Sequence, residues 1–204
     1  MPNELDLACS CGQVTGVAVG VDPDRGNHLV CMCDDCQAYA HWLGRADELL
    51  DAHGGTAVFQ LTPAQVRLTG GVDQVCCVRL SEKGLMRWYA GCCRTPIANT
   101  LANPKVAFLG LVDAFVPEPG RERLGPILVR TQGRFGVPPL PPGSYARAPA
   151  WLLFRSLRQL LRGVFAGAQR PSPVFTDQGA PIVTPSVVSP DERARLREQV
   201  ARPG

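Results

Sequence analysis

Seven of the nine cysteines lie in three tight clusters, and their spacing constrains the fold more than any other feature of the chain. The clusters are Cys9-Ser10-Cys11, Cys31-Met32-Cys33-Asp34-Asp35-Cys36 and Cys92-Cys93. Sulfurs two or three residues apart can converge on one ion at bond lengths of about 2.3 Å, as tetrahedral zinc requires. The sequence therefore predicts one or two Zn²⁺ ions held by cysteine thiolates.

The same cysteines argue against a secreted protein stabilised by disulfides. Their number is odd, and Cys-x-Cys pairs make poor disulfides. Met1 to Leu7 lacks the apolar stretch of a signal peptide, and no apolar run reaches the roughly 18 residues of a transmembrane segment. We therefore expect a cytoplasmic location, where reducing conditions keep thiolates free for metal.

Charge gives little support for a nucleic-acid partner. The net charge is +3, with 12 Lys/Arg against 14 Asp/Glu over residues 1–140 and 9 against 4 over residues 141–204. No segment is a basic run, so we expect no nucleic acid to bind.

Turn residues separate short β-forming runs through the first two thirds of the chain, which predicts a mainly β domain over residues 1–136. A hairpin is expected over Leu5 to Val21, and a helix interrupted by Gly44 over Cys36 to Ala52. Four runs predict a continuous meander: Val58 to Leu61, Val66 to Thr69, Val75 to Leu80 and Leu85 to Tyr89. Strands are also expected at Val106 to Val112 and Leu128 to Phe135.

A proline-rich linker over residues 137–149 precedes a helical, proline-rich C-terminal extension over residues 150–204. Trp151 to Ala166 is an amphipathic helix with arginines on one face and leucines on the other. We expect it to pack across the β domain or to form a homodimer interface; its composition also fits a membrane-surface helix. A short charged helix is predicted over Pro190 to Ala201.

The three clusters, in their order, resemble the glutathione-dependent formaldehyde-activating family, whose superfamily includes centromere protein V. The segments that carry the resemblance are CSCGQVTG, VCMCDDCQAYAHWLG and RWYAGCCRTPIANT, within Leu5 to Gly110. The resemblance implies a β-tent zinc-binding fold with two zincs. One site is closed by four cysteines, and the other keeps one coordination position open.

Carried over by position, Cys9, Cys11 and Cys93 resemble ligands of the closed site. Cys31, Cys33 and Cys36 resemble the open site. Two positions depart from the family pattern: Ala90 stands where a closed-site cysteine is expected, and Met32 stands where the family usually has histidine. The first departure leaves the fourth closed-site ligand unassigned.

Cys92 has two alternative roles. Adjacent residues on an extended strand point to opposite faces, so Cys93 would serve the first site while Cys92 approaches the second and closes it. Alternatively, a turn at Gly91 brings Cys92 into the first site and leaves the second open. Cys76 and Cys77 lie mid-strand and are expected to be ordinary thiols, one of them in the core.

The resemblance implies a carbon–sulfur lyase similar to S-(hydroxymethyl)glutathione synthase, acting on adducts of a small thiol, such as glutathione, with an aldehyde such as formaldehyde. The alternative is a non-catalytic, zinc-stabilised protein-interaction module that presents the C-terminal helix to a partner.

Several polar residues near the second and third clusters are candidates for the site. Asp35 and His41 are candidate proton-transfer residues, as are Asp34 and Tyr39. Their simpler roles are helix capping for the two aspartates, a partly exposed helix position for His41 and packing for Tyr39. Arg87 and Arg94 are candidates for binding a carboxylate of the thiol, or else are solvated charges at strand edges.

Overall fold

The computed structural model describes residues 4–200 and is mainly β, with eleven strands in two sheets and a helical C-terminal part, which confirms the predicted fold class. The strands are β1 (Glu4–Ala8), β2 (Thr15–Val19), β3 (Asn27–Cys31), β4 (Thr56–Leu61), β5 (Val66–Gly70), β6 (Val75–Arg79), β7 (Met86–Ala90), β8 (Pro96–Thr100), β9 (Leu109–Val112), β10 (Val129–Thr131) and β11 (Ser186–Val187). The α-helices are α1 (Asp34–Trp42), α2 (Ala46–Leu49), α3 (Glu118–Arg121), α4 (Ala150–Phe165) and α5 (Pro190–Gln199).

The small sheet has the order β1-β2-β5, and the large sheet has the order β10-β3-β4-β9-β8-β7-β6-β11. Neighbouring strands are antiparallel except at the two edges of the large sheet, where β10 joins β3 and β11 joins β6 in parallel. The hairpin predicted over Leu5 to Val21 is present as β1 and β2.

The prediction of a continuous meander from β4 to β7 is wrong, because β5 belongs to the small sheet, where it pairs with β2. The reason is a turn after β4 that contacts the hairpin. Thr62 and Gln65 form a capping box around a 3-10 turn, and the Gln65 amide donates to the carbonyls of Val19 and Gly20 at 3.3 and 3.1 Å. This turn directs the chain onto the hairpin instead of back along β4.

The main core contains buried side chains from both sheets. Trp88, Phe59 and Phe115 are its largest members, and all three are fully buried. The Trp88 indole donates to the Thr100 hydroxyl at 2.9 Å, so its polar atom is satisfied inside the core. The small sheet contributes Leu5 to the same cluster, which packs the two sheets together.

A second apolar cluster joins α1 and α5 to strand β6. Tyr39 and Leu43 of α1 meet Leu196 of α5 and Val78 of β6. The charged helix predicted near the C-terminus is therefore present as α5; the predicted end at Ala201 lies outside the described residues. The predicted division of the chain at 136/137 and 149/150 stays a prediction.

Helix α4 packs on the β sheet through its polar face. Arg155 donates to Asn27 Oδ1 at 2.6 Å, Ser156 to Gln60 Oε1 at 3.0 Å and Gln159 to the Gln60 carbonyl at 3.2 Å. The apolar face predicted for this helix points away from the protein, the reverse of the usual arrangement on a globular domain. Within residues 4–200, no helix is both long and apolar enough to cross a bilayer.

A buried histidine ties β3 to the chain after β9. His28 Nδ1 donates to the Gly125 carbonyl at 2.7 Å, and Nε2 lies 2.9 Å from Asp113 Oδ2. Both partners are acceptors, so the geometry suits the doubly protonated imidazolium. Burial opposes that charge, but the Asp113 carboxylate and the Gly125 carbonyl outweigh it and raise the pKa of His28.

We expect the His28–Asp113 pair to make folding stability depend on pH. Because the pKa of His28 is raised in the folded state, its contribution is complete below its unfolded pKa of about 6.5 and is lost as the pH rises through the folded pKa. Urea unfolding at about pH 6 and pH 8 should show a decline in the free energy of unfolding for the wild type and a smaller decline for Asp113→Asn. His53→Gln replaces a half-buried histidine that contacts the Val137 carbonyl, leaves the His28–Asp113 pair intact and serves as the control variant. Equal slopes for wild type and Asp113→Asn would contradict this assignment.

Candidate metal centre

Four cysteine sulfurs from two distant turns form a compact cluster, which we call the four-sulfur cluster. It consists of Cys9, Cys11, Cys92 and Cys93. The Sγ–Sγ distances are 3.6 Å for Cys9–Cys11, 3.8 Å for Cys9–Cys92, 3.4 Å for Cys11–Cys92 and 3.8 Å for Cys92–Cys93. Four sulfurs bound tetrahedrally at about 2.3 Å would lie about 3.8 Å apart. The cluster therefore has the dimensions of a tetrahedral metal site.

The first half of the cluster is a tight turn between β1 and β2. Cys9 N donates to the Val14 carbonyl, and Gly12 N to the Cys9 carbonyl, each at 2.9 Å. Gly12 has φ +75°, which a residue with a side chain rarely adopts. Val14 N donates to Cys9 Sγ at 3.2 Å, so the backbone stabilises negative charge on this sulfur.

The second half is the turn between β7 and β8, and it explains how adjacent cysteines serve one site. Residues 91–93 form a turn rather than extended strand, and Arg94 is left-handed with φ 58°. Arg94 N donates to the Ala90 carbonyl at 2.7 Å. The turn brings both Cys92 and Cys93 to the first site, which corresponds to the second of the two alternatives above. Cys92 is thus the fourth member, while Ala90 is buried in β7.

A polar network surrounds Cys93. Desolvation would raise the pKa of Cys93, but hydrogen bonding with Ser10 and Thr95 outweighs it and lowers the pKa to about 5. Thr95 Oγ1 lies 3.2 Å from Cys93 Sγ and accepts from Arg45 at 2.7 Å. Arg45 also donates to Ser10 Oγ and to the Cys93 carbonyl, each at 3.0 Å. Sequence reasoning missed both residues: Arg45 lies far along the chain from the four cysteines of this cluster, and Thr95, two residues after Cys93, was expected only to turn the chain.

The three remaining clustered cysteines, Cys31, Cys33 and Cys36, form a second group that we call the three-sulfur cluster. Cys31 ends β3, Cys33 is the N-cap of α1 and Cys36 lies in its first turn. Cys36 N donates to Cys33 Sγ at 3.4 Å, so the helix N-terminus favours a thiolate there. Within residues 4–200, no fourth Cys, His, Asp or Glu joins this cluster.

The predicted helix cap at Asp34 or Asp35 is wrong, because the Cys33 sulfur takes that role. Both aspartates instead lie in the first turn of α1 and face α5. Asp35 pairs with Arg193 at 3.5 Å, and Asp34 pairs with Arg197 at 3.4 Å. These partly exposed ion pairs add little stability individually, but they hold α5 over the start of α1.

Arg87 is a buried cation beside the three-sulfur cluster. Its side chain is only 3% exposed, and its guanidinium lies 3.9 Å from Cys36 Sγ, 3.4 Å from Asn99 Oδ1 and 5.0 Å above the Tyr39 ring. No carboxylate among residues 4–200 forms an ion pair with it. A buried unpaired charge is costly, so the anionic partner that this geometry provides is the cluster itself. In the metal-free protein, the Cys31 and Cys33 thiols and Arg87 hold the pKa of Cys36 well below its usual range.

A small cavity adjoins Cys36 and Arg87. Its volume is about 10 Å³, close to the space that one water molecule needs. Thr56 and Asn99 also line it, and the buried hydroxyl of Thr56 has no hydrogen-bond partner within the described part of the chain. The cavity therefore presents an unused polar group and a cation beside a sulfur.

The other candidate residues, His41, Arg94, Cys76 and Cys77, belong to neither sulfur cluster. His41 is in the last turn of α1, about 7 Å along the helix from Cys36, and is not part of either cluster. Arg94 donates to the Trp42 carbonyl at 3.2 Å and stacks on the Trp42 ring at 5.6 Å, so it stabilises the end of α1. Cys76 and Cys77 belong to β6 and to neither cluster.

Comparison with known proteins gives a family without an assigned activity. A family model described as a family of unknown function (DUF6151) matches residues 1–184. No curated protein matches the chain. A crystal structure of a Rhodobacter sphaeroides protein is similar at 14% identity and a TM-score of 0.42, over 60% of this chain and 97% of that chain.

We expect one metal ion at each cluster, and replacing Cys92 by alanine should weaken binding at the four-sulfur cluster so that the purified protein retains less metal. The variant leaves three sulfurs in the four-sulfur cluster, and loss of one thiolate from a closed site typically weakens metal binding severely. Metal analysis of purified protein, together with circular dichroism, measures both the loss and the retained fold. Cys76→Ala removes a thiol outside both clusters and should keep the full metal content. Unchanged metal content in Cys92→Ala would exclude Cys92 as a ligand.

Proposed function

The chain belongs to DUF6151, a family of unknown function, and we propose that it is a zinc-dependent enzyme of the carbon–sulfur lyase type, acting on adducts of a small thiol with an aldehyde. The observation that carries the proposal is the three-sulfur cluster, with three protein ligands beside the buried Arg87 guanidinium. The order of the cysteine motifs, similar to that of the formaldehyde-activating family, gives further support. A cytoplasmic location, where small thiols stay reduced, is part of the same proposal.

The two clusters would have different roles. The four-sulfur cluster has all four ligands from the protein, so a zinc ion there would be structural. Cys31, Cys33 and Cys36 would hold the second ion with one position left for an external ligand. A zinc ion held in this way would keep an added thiol in its nucleophilic thiolate form near neutral pH.

Charge favours a thiolate as that external ligand. Three cysteine thiolates on Zn²⁺ carry a net charge of −1, and a fourth makes it −2. The Arg87 guanidinium offsets part of this charge from inside the protein, where the low dielectric strengthens its effect. Arg87 thus stabilises the thiol-bound state more than the thiol-free state.

The reaction is addition of sulfur to a carbonyl. The thiol sulfur forms a bond to the aldehyde carbon, the C=O π pair moves to the oxygen, and the proton lost by the thiol ends on that oxygen as a hemithioacetal. The reverse reaction breaks the carbon–sulfur bond. Thr56 and Arg87 are two of the donors that line the cavity at Cys36, and they are suited to stabilise the negative oxygen.

The size of that cavity favours a small aldehyde. A volume of about 10 Å³ accepts one oxygen-sized group and excludes a bulky substituent, so formaldehyde fits better than longer aldehydes. The body of a thiol such as glutathione would lie outside it. Asp35 and His41 as proton-transfer residues stay predictions; Asp35 is the nearer to Cys36 along α1 and is ion-paired with Arg193.

The alternative is a non-catalytic zinc module. The ion pairs that hold α5 against the first turn of α1 favour this alternative. They fix a C-terminal helix directly beside the three-sulfur cluster, as expected if the zinc site stabilises that helix. A module of this kind would bind zinc but would not respond to added thiol.

The response of the three-sulfur cluster to glutathione separates the two functions. In cobalt-substituted protein, glutathione should shift the thiolate-to-metal absorption of the wild type but not that of Cys33→Ala, which lacks a ligand of this cluster. Nuclear magnetic resonance exchange between formaldehyde, glutathione and their adduct should be faster with wild type than with Cys33→Ala. Cys76→Ala is the matched control and should behave as wild type. A cobalt spectrum that glutathione leaves unchanged would favour the module.

Replacing Arg87 by methionine should weaken thiol binding while the fold is retained. The side chains have similar length, but methionine lacks the charge that offsets the added thiolate. We expect the apparent Kd for glutathione to rise about tenfold, equal to about 1.4 kcal/mol. Arg87→Lys retains the charge and should lose less. Titration of the cobalt absorption measures both, and equal affinities for wild type and Arg87→Met would remove Arg87 from the site.

A further inference from the structure

The outward face of α4 is an apolar surface that the proposed function does not use. We define the outer face of α4 as Leu153, Phe154, Leu157, Leu161, Val164 and Phe165. Every one of these side chains is at least 41% exposed, and Phe165 reaches 87%. Single exposed apolar residues are ordinary on proteins, but a continuous helical face of six is typical of an interaction site.

The orientation of α4 is fixed by specific contacts, so the outer face cannot turn inward without breaking them. Arg155 donates to Asn27 Oδ1 and to the carbonyls of Asp24 and Gly26, at 2.6, 2.6 and 2.9 Å. On the same inward side, a Cβ added at Gly163 would lie 2.7 Å from Ala107 Cβ. The helix therefore lies close against the sheet through polar bonds and a glycine contact, and presents its leucines and phenylalanines to the outside.

The charged residues that border the outer face of α4 are arginines, so its surroundings are positively charged. Arg158 and Arg162 are exposed along its border, and Arg147 and Arg170 are exposed just beyond the two ends of the helix. Residues 123–176 contain eight arginines and not one Asp or Glu. A groove runs beside α4 on the side that faces the sheet, and its lining includes two acidic residues, Asp22 and Asp24; Asp22 already pairs with Arg25 at 3.3 Å.

We propose that the outer face of α4 binds to an anionic lipid surface, with the helix lying in the plane of the membrane interface. Interfacial helices combine an apolar face rich in Leu, Phe and Trp with flanking arginines, and each arginine adds attraction to anionic headgroups. Trp151, 42% exposed at the start of α4, is an aromatic residue suited to the interface. The protein would thus be a peripheral membrane protein held by one helix.

A second copy of the chain fits this surface less well. In a two-fold dimer the outer face of α4 would meet the same face of the second copy. The arginines of each copy would then lie near those of the other, and residues 123–176 contain no carboxylate to pair with them. Anionic lipid neutralises the arginines and accepts the apolar side chains at once. The observations therefore favour lipid over a homodimer through α4.

Vesicle co-sedimentation of the full chain tests the proposal. Wild-type protein should bind vesicles that contain about one third phosphatidylglycerol and bind pure phosphatidylcholine vesicles more weakly, with binding to the former reduced by salt. The triple variant Phe154→Ser/Leu157→Ser/Phe165→Ser should bind at least about tenfold more weakly. These side chains are exposed, so circular dichroism and metal content should not change. Val72→Ser, which removes a 46% exposed valine from another surface, is the matched control and should bind as wild type.

A second variant tests the charge contribution separately. Arg158→Ser/Arg162→Ser should weaken binding to the phosphatidylglycerol vesicles and leave the weak binding to phosphatidylcholine unchanged. Equal vesicle binding by wild type and the triple variant would overturn the proposal. Absence of vesicle binding, together with a wild-type dimer that the triple variant converts to monomer in analytical ultracentrifugation, would overturn it in favour of a second copy. Neither result depends on thiol or aldehyde chemistry, so the proposed function is tested separately.

Discussion

The meeting of two turns at the four-sulfur cluster is the contact on which the arrangement of the two sheets depends. Cys9 and Cys11 follow the first strand of the small sheet, and Cys92 and Cys93 follow β7 of the large sheet. More than 80 residues separate the two turns along the chain. A metal ion held there would cross-link the sheets much as a disulfide does, by restricting the unfolded chain. Hydrogen bonds from Arg45 to Ser10 and to the Cys93 carbonyl, and from Ser10 N to the Thr95 hydroxyl, already link the two turns.

The two clusters differ in their electrostatic surroundings, and this difference separates their chemistry. The four-sulfur cluster is partly exposed, and uncharged hydroxyl and amide groups contact its sulfurs. The three-sulfur cluster has a buried guanidinium at 3.9 Å and a helix N-terminus behind it. Both features favour extra negative charge at the second cluster. The four-sulfur cluster therefore suits a permanently bound structural ion, and the three-sulfur cluster suits an external ligand that binds and dissociates reversibly.

Local sequence patterns predicted much of this structure because their signals are short-range. Turn residues and β-branched runs located the first hairpin and most strands, and the leucine period located α4. The cysteine spacing grouped Cys31, Cys33 and Cys36, whereas Cys93 was joined to Cys9 and Cys11 only through the family resemblance.

What the sequence left wrong or undecided was determined by the folded chain rather than by local pattern. The pairing of β5 with β2 is set by the turn at Thr62 and Gln65, and its strand pattern alone does not select a partner. The role of Cys92 depended on the left-handed Arg94, an uncommon conformation that no local signal announced. The burial of Arg87 and the inverted packing of α4 were likewise invisible, since each is decided by residues far along the chain.

The route of the chain between the sheets has a consequence for unfolding. The chain builds two strands of the small sheet, crosses to the large sheet for β3 and β4, returns for β5 and crosses again. Neither sheet is therefore made from one uninterrupted piece of polypeptide. Separating the sheets exposes the shared core, and unfolding β3 and β4 frees the segment that returns the chain to β5, so loss of one sheet entails loss of the other. Interleaved connectivity makes the β part of this protein a single cooperative unit that melts as a whole.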